Sequence, residues 1–252
     1  NYADAWLAAR RHSQPEEEAL LIITRKALAV VPWLILPGGM PLVGDISPDC
    51  PPEYLLCMTG LESGWVAGLP GDDRAALLTQ IEKNRPTDNE DLGRDGWLRF
   101  SRGPWSGLWH ATPGGWPPSP GHGHQDTGGF ELHFDDMPVF VDPGRGTYGE
   151  DADAVSFVSS RVHNTVTVDG ADPFPVNKPY YDDAFRRDIA GPAPELTGGD
   201  DVVLTHHGFQ RIKGLGSLRR QWRLTNDALT VTDALEGDGR HLVTRRFVTP
   251  LE

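Results

Sequence analysis

The sequence is short of cysteine, of positive charge and of long apolar runs, and each shortage closes off a class of protein. Two cysteines, Cys50 and Cys57, are too few for a disulfide scaffold or a zinc-thiolate cage. One bridge or two buried thiols would both fit, so cysteine use does not set the compartment. Lysine and arginine total 23 against 36 aspartates and glutamates, a net charge of −13. That balance argues against nucleic acid and anionic membranes as partners. An anionic polymer is also repelled at long range, but screening over about 8 Å at physiological salt lets a local basic groove gather one. The most apolar stretch, "ALLIITRKALAVVPWLILPGG", is broken by Arg25, Lys26 and Pro32, so no membrane insertion is expected. No secretory leader opens the chain, and its start at Asn1 reads as a processed product or an excised fragment.

What is abundant is turn chemistry: 29 glycines and 22 prolines favour short strands over long helices. Residues 1–31 are the exception, with apolar residues at helical spacing and a helix start at Pro15 followed by three glutamates. The sequence also predicts a helix near 52–60 and another over 71–84, "GDDRAALLTQIEKN". From about residue 95 the texture changes to short segments rich in β-branched and aromatic residues, such as "GWLRF", "GGFELHF", "HNTVTVDG" and "SLRRQWRL". In "FELHF", Phe130, Leu132 and Phe134 share one face, with Glu131 and His133 on the other. Asn226–Asp227 and Gly237–Asp238–Gly239 read as tight turns between strands. The expected organisation is a helical segment over 1–92 followed by an antiparallel β-sandwich over 93–252, mainly β in class.

The chemistry-bearing residues gather at strand edges. "GHGHQD" (121–126) places His122 and His124 two apart, which in extended chain projects both imidazoles to one side. "VFVDPG" adds Asp142 and "RVHNTVTV" adds His163, and two imidazoles with a carboxylate suit zinc. A cupin-like arrangement competes, with His122, His124 and Glu131 on the metal. Trp105, Trp109 and Trp116 offer sugar-stacking faces, although tryptophan near glycine and proline more often packs. Arg186–Arg187 and Arg245–Arg246 are basic pairs that, in strands, would point to opposite faces. Asp45 and Asp49 in "GDISPD" read as turn caps, and Tyr180 and Tyr181 as loop packing.

The succession "HGHQDTGGFELHFDDMPVFVDPGRGTYG", "SSRVHNTVTVDG" and "LRRQWRL…LTVTDALEGDGRHLVTRRF", with "MPLVGDISPD" upstream, resembles the β domain of the heparinase II/III-like polysaccharide lyases. The resemblance spans roughly residues 36–250 and implies that the helical segment is the end of an α/α toroid. It also implies β-elimination of a uronate-containing anionic polysaccharide in the periplasm or outside the cell. By the same resemblance His124, Asp142 and His163 hold a structural zinc, and His122 acts as base or neutralises the uronate. Tyr148 falls where some members place an active-site tyrosine, while Arg161 and Trp116 are candidate substrate contacts. In that family the main catalytic Tyr and its Asn/His neighbours sit on the toroid, most of which this sequence lacks. A non-catalytic carbohydrate-binding module is therefore the competing expectation, and an open sandwich edge would invite oligomers.

Overall fold

A computed structural model describes residues 2–46, 64–84, 89–113, 122–147, 151–176, 178 and 180–251. Cys50, Cys57, Asp49, Trp116, Tyr148 and the helix expected near 52–60 lie outside them. The chain opens with helices α1 (Tyr2–Arg11), α2 (Glu17–Leu34), α3 (Gly64–Ala67), α4 (Gly71–Lys83) and α5 (Asn89–Arg94). Ala3, Trp6 and Leu7, at helical spacing on α1, pack with Val66 of α3 and Leu77 of α4, and Leu20 and Leu21 of α2 close the cluster. Arg10 and Arg11 at the end of α1 clamp Asp73, buried in the first turn of α4. Among the described residues, no helix is long and apolar enough to cross a membrane.

Helix α2 outlasts its expected end, running through Pro32 to Leu34. Proline has no N–H for the carbonyl one turn back, and Asn84 Nδ2 donates to that carbonyl, Leu28 O, at 2.7 Å. No basic residue lies in the last turn of α2. Arg99 supplies the cation from the β half, donating to the carbonyls of Pro32 (3.0 Å), Trp33 (3.2 Å) and Ile35.

The strands are β1 (Trp97–Arg102), β2 (Trp105–His110), β3 (Gly129–Phe134), β4 (Met137–Phe140), β5 (Val166–Val168), β6 (Glu195–Gly198), β7 (Val202–His206), β8 (Leu215–Leu224), β9 (Leu229–Gly237) and β10 (Val243–Arg245). Two antiparallel sheets, β1-β2-β3-β4 and β6-β7-β8-β9, lie face to face, and a two-stranded ribbon pairs β5 with β10. Trp109, Phe130 and Leu132 of the first sheet meet Val202, Leu204 and Trp222 of the second in a single core. The expected sandwich is present, with three local differences. β6 was not foreseen, and two helices, α6 (Ala152–Val158) and α7 (Asp183–Ala190), interrupt the β half. Arg186 and Arg187 therefore sit on a helix. The turn at 237–239 makes no hairpin, because β9 and β10 belong to different sheets. Both helices start at an aspartate N-cap, Asp151 and Asp182, whose side chains accept from Ala154 N and Phe185 N.

Three buried polar side chains of the β half, Asn164, Glu131 and His133, fasten other segments around the sheets. Asn164 donates to Phe130 O (2.8 Å) and Val141 O (2.9 Å) and accepts from Val248 N (2.6 Å). Its backbone carbonyl accepts from Arg220 at 3.2 Å. Glu131 and His133, on the outer face of β3, hold the chain after α2. His133 Nδ1 accepts from Gly38 N (3.0 Å), its Nε2–H donates to Glu131 (3.0 Å), and Glu131 accepts from Leu42 N (3.4 Å). Each buried partner left without its bond costs about 1–3 kcal/mol. Asn164→Ala should thus lower unfolding free energy by about 3 kcal/mol, read as a lower urea midpoint at unchanged slope, whereas a purely catalytic asparagine would leave the midpoint unmoved.

Candidate functional site

Three turns bring the site together. The 122–128 loop is anchored by Gln125 N donating to Val158 O at the end of α6 (2.8 Å) and by the Ser160 hydroxyl donating to Gln125 O. It enters β3 through Gly128, whose φ of +77° and closeness to Leu204 exclude any side chain. In "VDPG", Asp142 Oδ1 accepts from Gly144 N at 2.9 Å, a side-chain turn that fixes the carboxylate. Gly144 has φ +65°, and a Cβ there would sit 2.9 Å from Ile46 O, so the turn can seat the 44–46 segment directly against itself. The third turn is the Ser159–Thr165 stretch that carries His163.

At the centre, His124, Asp126 and His163 offer ligand atoms within 4.8 Å of one another, all three buried. Asp142 joins through His163, whose Nδ1 lies 3.1 Å from each carboxylate oxygen. His163 Nε2–H donates to Phe157 O (2.8 Å), which assigns that nitrogen its proton. Nδ1 therefore faces the Asp142 carboxyl, and a proton, held by either partner, or a metal must lie between them. Burial lowers the His163 pKa, but the Asp142 contact outweighs it and lifts the pKa to about 9. Burial also raises the Asp142 carboxyl, with Asp126 adding to the rise. His124 goes the other way: burial holds it below the usual histidine range, in the neutral form that a metal needs.

The unpaired atoms point to the same demand. Both ring nitrogens of His124 and Oδ2 of Asp126 are buried with no hydrogen-bond partner. The nearest carboxylates stand 3.5 Å (Asp45) and 3.9 Å (Asp126) from the His124 nitrogens. Donors about 2.0–2.2 Å from one zinc at tetrahedral angles lie roughly 3.3–3.6 Å apart, against 3.1 Å between His163 and Asp142 and at most 4.8 Å among the His124, Asp126 and His163 donors. Imidazole and carboxylate donors, orphaned buried atoms and two buried carboxylates together fit a divalent cation.

Beside this cluster His122 is exposed, its side chain at 58%, with Nδ1 against Asp45 Oδ2. The same carboxylate accepts from Arg145 at 3.2 Å and approaches His124, so one aspartate joins the exposed and the buried histidine. The structure thus brings His122 and His124 of the 122–128 loop together with Asp142 of the "VDPG" turn and His163 of the Ser159–Thr165 turn, and His122 and His124 lie on a loop and not a strand. The cupin-like arrangement is contradicted: Glu131 spends its oxygens on His133 and on the backbone N–H groups of Leu42 and Asp142, on the outer face of β3. Arg161 bonds Gly170 O (2.7 Å) and lines a different pocket. Trp105 and Trp109 are core residues. Sequence reasoning passed over Asp126, two residues past His124, and read Asp45 as a turn cap. The spacing of "HQD" marked the first, whereas nothing local marked the second, which reaches the site from 77 residues away.

The family model "Heparinase II/III-like, C-terminal" matches residues 84–250. No curated protein matches the chain in sequence. Heparan sulfate lyase HepC from Pedobacter heparinus superposes with a TM-score of 0.54 at 18% identity, over 94% of this chain and 36% of that one. A heparinase III gene product gives 0.54 at 17%, over 96% and 36%. A further structure of heparinase III gives 0.52 at 17%, over 94% and 38%. At these identities the likeness is one of fold, and the chain spans little more than a third of each structure.

Metal analysis of the purified chain should find about one zinc, lost in His124→Ala and His163→Ala, weakened in Asp126→Asn and retained in Glu131→Gln. Metal must displace the proton that the His163–Asp142 pair keeps up to a pKa of about 9. Apparent zinc affinity should then rise roughly tenfold per pH unit below that value, for one proton released. Competition with a chelator across pH 6–9, each condition corrected for the chelator's own protonation, reads that slope.

Proposed function

This chain belongs to the heparinase II/III-like family, and on that premise we propose that it carries the β-domain side of a polysaccharide lyase site. The substrate class we propose is a uronate-containing anionic polysaccharide, met in the periplasm or outside the cell. The observation that carries this reading is the exposed His122, oriented by Asp45, next to a buried cluster suited to a metal.

β-Elimination removes the proton on the carbon beside the uronate carboxylate and expels the glycosidic oxygen, leaving a carbon–carbon double bond. That carbon is a weak acid, so positive charge or hydrogen-bond donors must face the carboxylate as the enolate develops. A base within hydrogen-bond reach must then take the proton. His122 is the exposed imidazole in position for either task, and the Asp45 contact fixes which way its ring points. Arg145, anchored on Asp45 and on Thr147 O, brings a guanidinium to the same spot. Tyr148 is proposed as the group that protonates the leaving oxygen, from its place in the family's pattern, and Trp116 as a sugar contact, from the stacking face of its ring.

Zinc held by His124, Asp142 and His163, with Asp126 within reach of the same ion, is proposed as a structural brace that neutralises the two buried carboxylates. The protein does the rest: it orients His122 through Asp45 and seats the loop against α6. Because the chain covers 36–38% of its structural relatives, the toroid's groups are expected to complete the site.

Incubation of uronate polymers with the protein carrying its toroid should yield products with the ultraviolet absorbance of an unsaturated uronate. His122→Ala should lower that rate by about 100-fold or more, and Asp45→Asn by about tenfold, with zinc content unchanged in the first. Sugar retention with no unsaturated product would select a non-catalytic carbohydrate-binding module instead.

A further inference from the structure

The ribbon β5–β10 carries a second polar pocket, distinct from the His122 site. It has a volume of about 220 Å³ and is lined by Ser160, Arg161, Thr167, Gly170, Thr244 and Arg246. Its floor follows from the strand register. Thr167 and Thr244 are directly opposed across the β5–β10 ladder, so their side chains share one face. Arg246 is two residues past Thr244 and falls on that face by the two-residue repeat, while Arg245 points the other way, onto Asp233 at 2.6 Å. The Arg246 main chain is pinned by its N–H to Thr165 O at 3.0 Å. Its guanidinium has no hydrogen bond or ion pair among the described residues.

Arg161 reaches over the same space from the stretch before His163. One of its five N–H donors is spent on Gly170 O (2.7 Å), which holds the guanidinium in place and leaves the others to face outward. The acids nearby have hydrogen-bond partners of their own. Asp169 accepts from His241 (2.7 Å) and from Leu242 N (2.8 Å), and Asp172 accepts from the Ser159 hydroxyl (2.9 Å) and Ser160 N (3.0 Å). The Ser160 hydroxyl has a partner as well, Gln125 O. In a chain of net charge −13, two arginines converging on one small pocket with two threonine hydroxyls form a local anion trap.

We propose that Arg161 and Arg246, with Thr167 and Thr244, form a subsite for a tetrahedral oxyanion, a sulfate ester on a sugar chain. A planar carboxylate is satisfied by one two-pronged arginine contact. Donors arriving from two guanidinium groups and two strands suit an anion with oxygens in several directions. Arg161 also borders a neighbouring groove of about 480 Å³ floored by Val155, Val158 and Val176, which gives the sugar ring an apolar surface beside the anion. Only the choice of a sugar-borne ligand rests on the function proposed above.

The test follows the arginine Nε–H resonances of the ¹⁵N-labelled chain. Sodium sulfate is added at constant ionic strength, with sodium chloride and sodium acetate as parallel arms. Arg161 and Arg246 should shift together and saturate with sulfate alone, and in Arg246→Gln the Arg161 midpoint should weaken by at least about fivefold, one charge-assisted contact. A sulfated oligosaccharide should move the same resonances at lower concentration than its desulfated counterpart. Equal response to acetate would overturn the tetrahedral assignment. Free sulfate binding as tightly as the sulfated sugar would overturn the sugar-borne ligand, and no saturable shift would overturn the subsite. Zinc content of the same preparation, and unsaturated product from the protein carrying its toroid, report the His122 site independently.

Discussion

A bare imidazole nitrogen and a buried carboxylate cannot face each other without a proton or a metal between them. His163 and Asp142 do so at 3.1 Å, with Asp126 and His124 closing the group. Much of the β half is organised around that constraint. Asp142 is held from behind by Gly144 N and by Glu131, which accepts from its backbone N–H at 3.2 Å. The ring of His163 is fixed by Phe157 O at the end of α6. The next residue, Asn164, binds β3, the end of β4 and the 246–248 segment into one layer. A metal bound there would serve as a keystone, because the same turns that carry His124, Asp142 and His163 also join the sheets.

Much of this was legible from residue types and spacing. The alternation in "FELHF" put Phe130 and Leu132 in the core and Glu131 and His133 outside, because one face of β3 meets the second sheet. The histidines and Asp142 could be grouped because each sits at the edge of a recognisable strand. What stayed hidden depended on distant contacts. Asp45 looks like any turn aspartate until residues 44–46 dock on Gly144. Helix α6 lies in a stretch whose neighbours all favour strand, and only its Asp151 cap marks it. The 237–239 turn resembles a hairpin locally, and the choice of β5 as partner for β10 is made by tertiary pairing.

Electrostatics divides the molecule in a similar way. An acidic surface surrounds a few places where arginine is concentrated, and each has a separate task. Arg220 lies buried at 1% exposure against Asp233, its guanidinium over Trp222 and Phe247. Arg145 steadies Asp45, and Arg161 and Arg246 face a pocket. Adjacent residues Arg245 and Arg246 show how one step along the chain separates an arginine paired with a buried aspartate from one that lines a pocket.

The end of α2 has a mechanical consequence. Its last carbonyls are held by Arg99 of β1, and the Leu28 carbonyl left open by Pro32 is held by Asn84, just past α4. Swinging α2 away from the sandwich would strip Arg99 from the carbonyls of Pro32, Trp33 and Ile35 at once. The junction therefore acts as a stiff splice and not as a hinge. Any movement of the helices relative to the sandwich must then be taken up elsewhere than between α2 and β1.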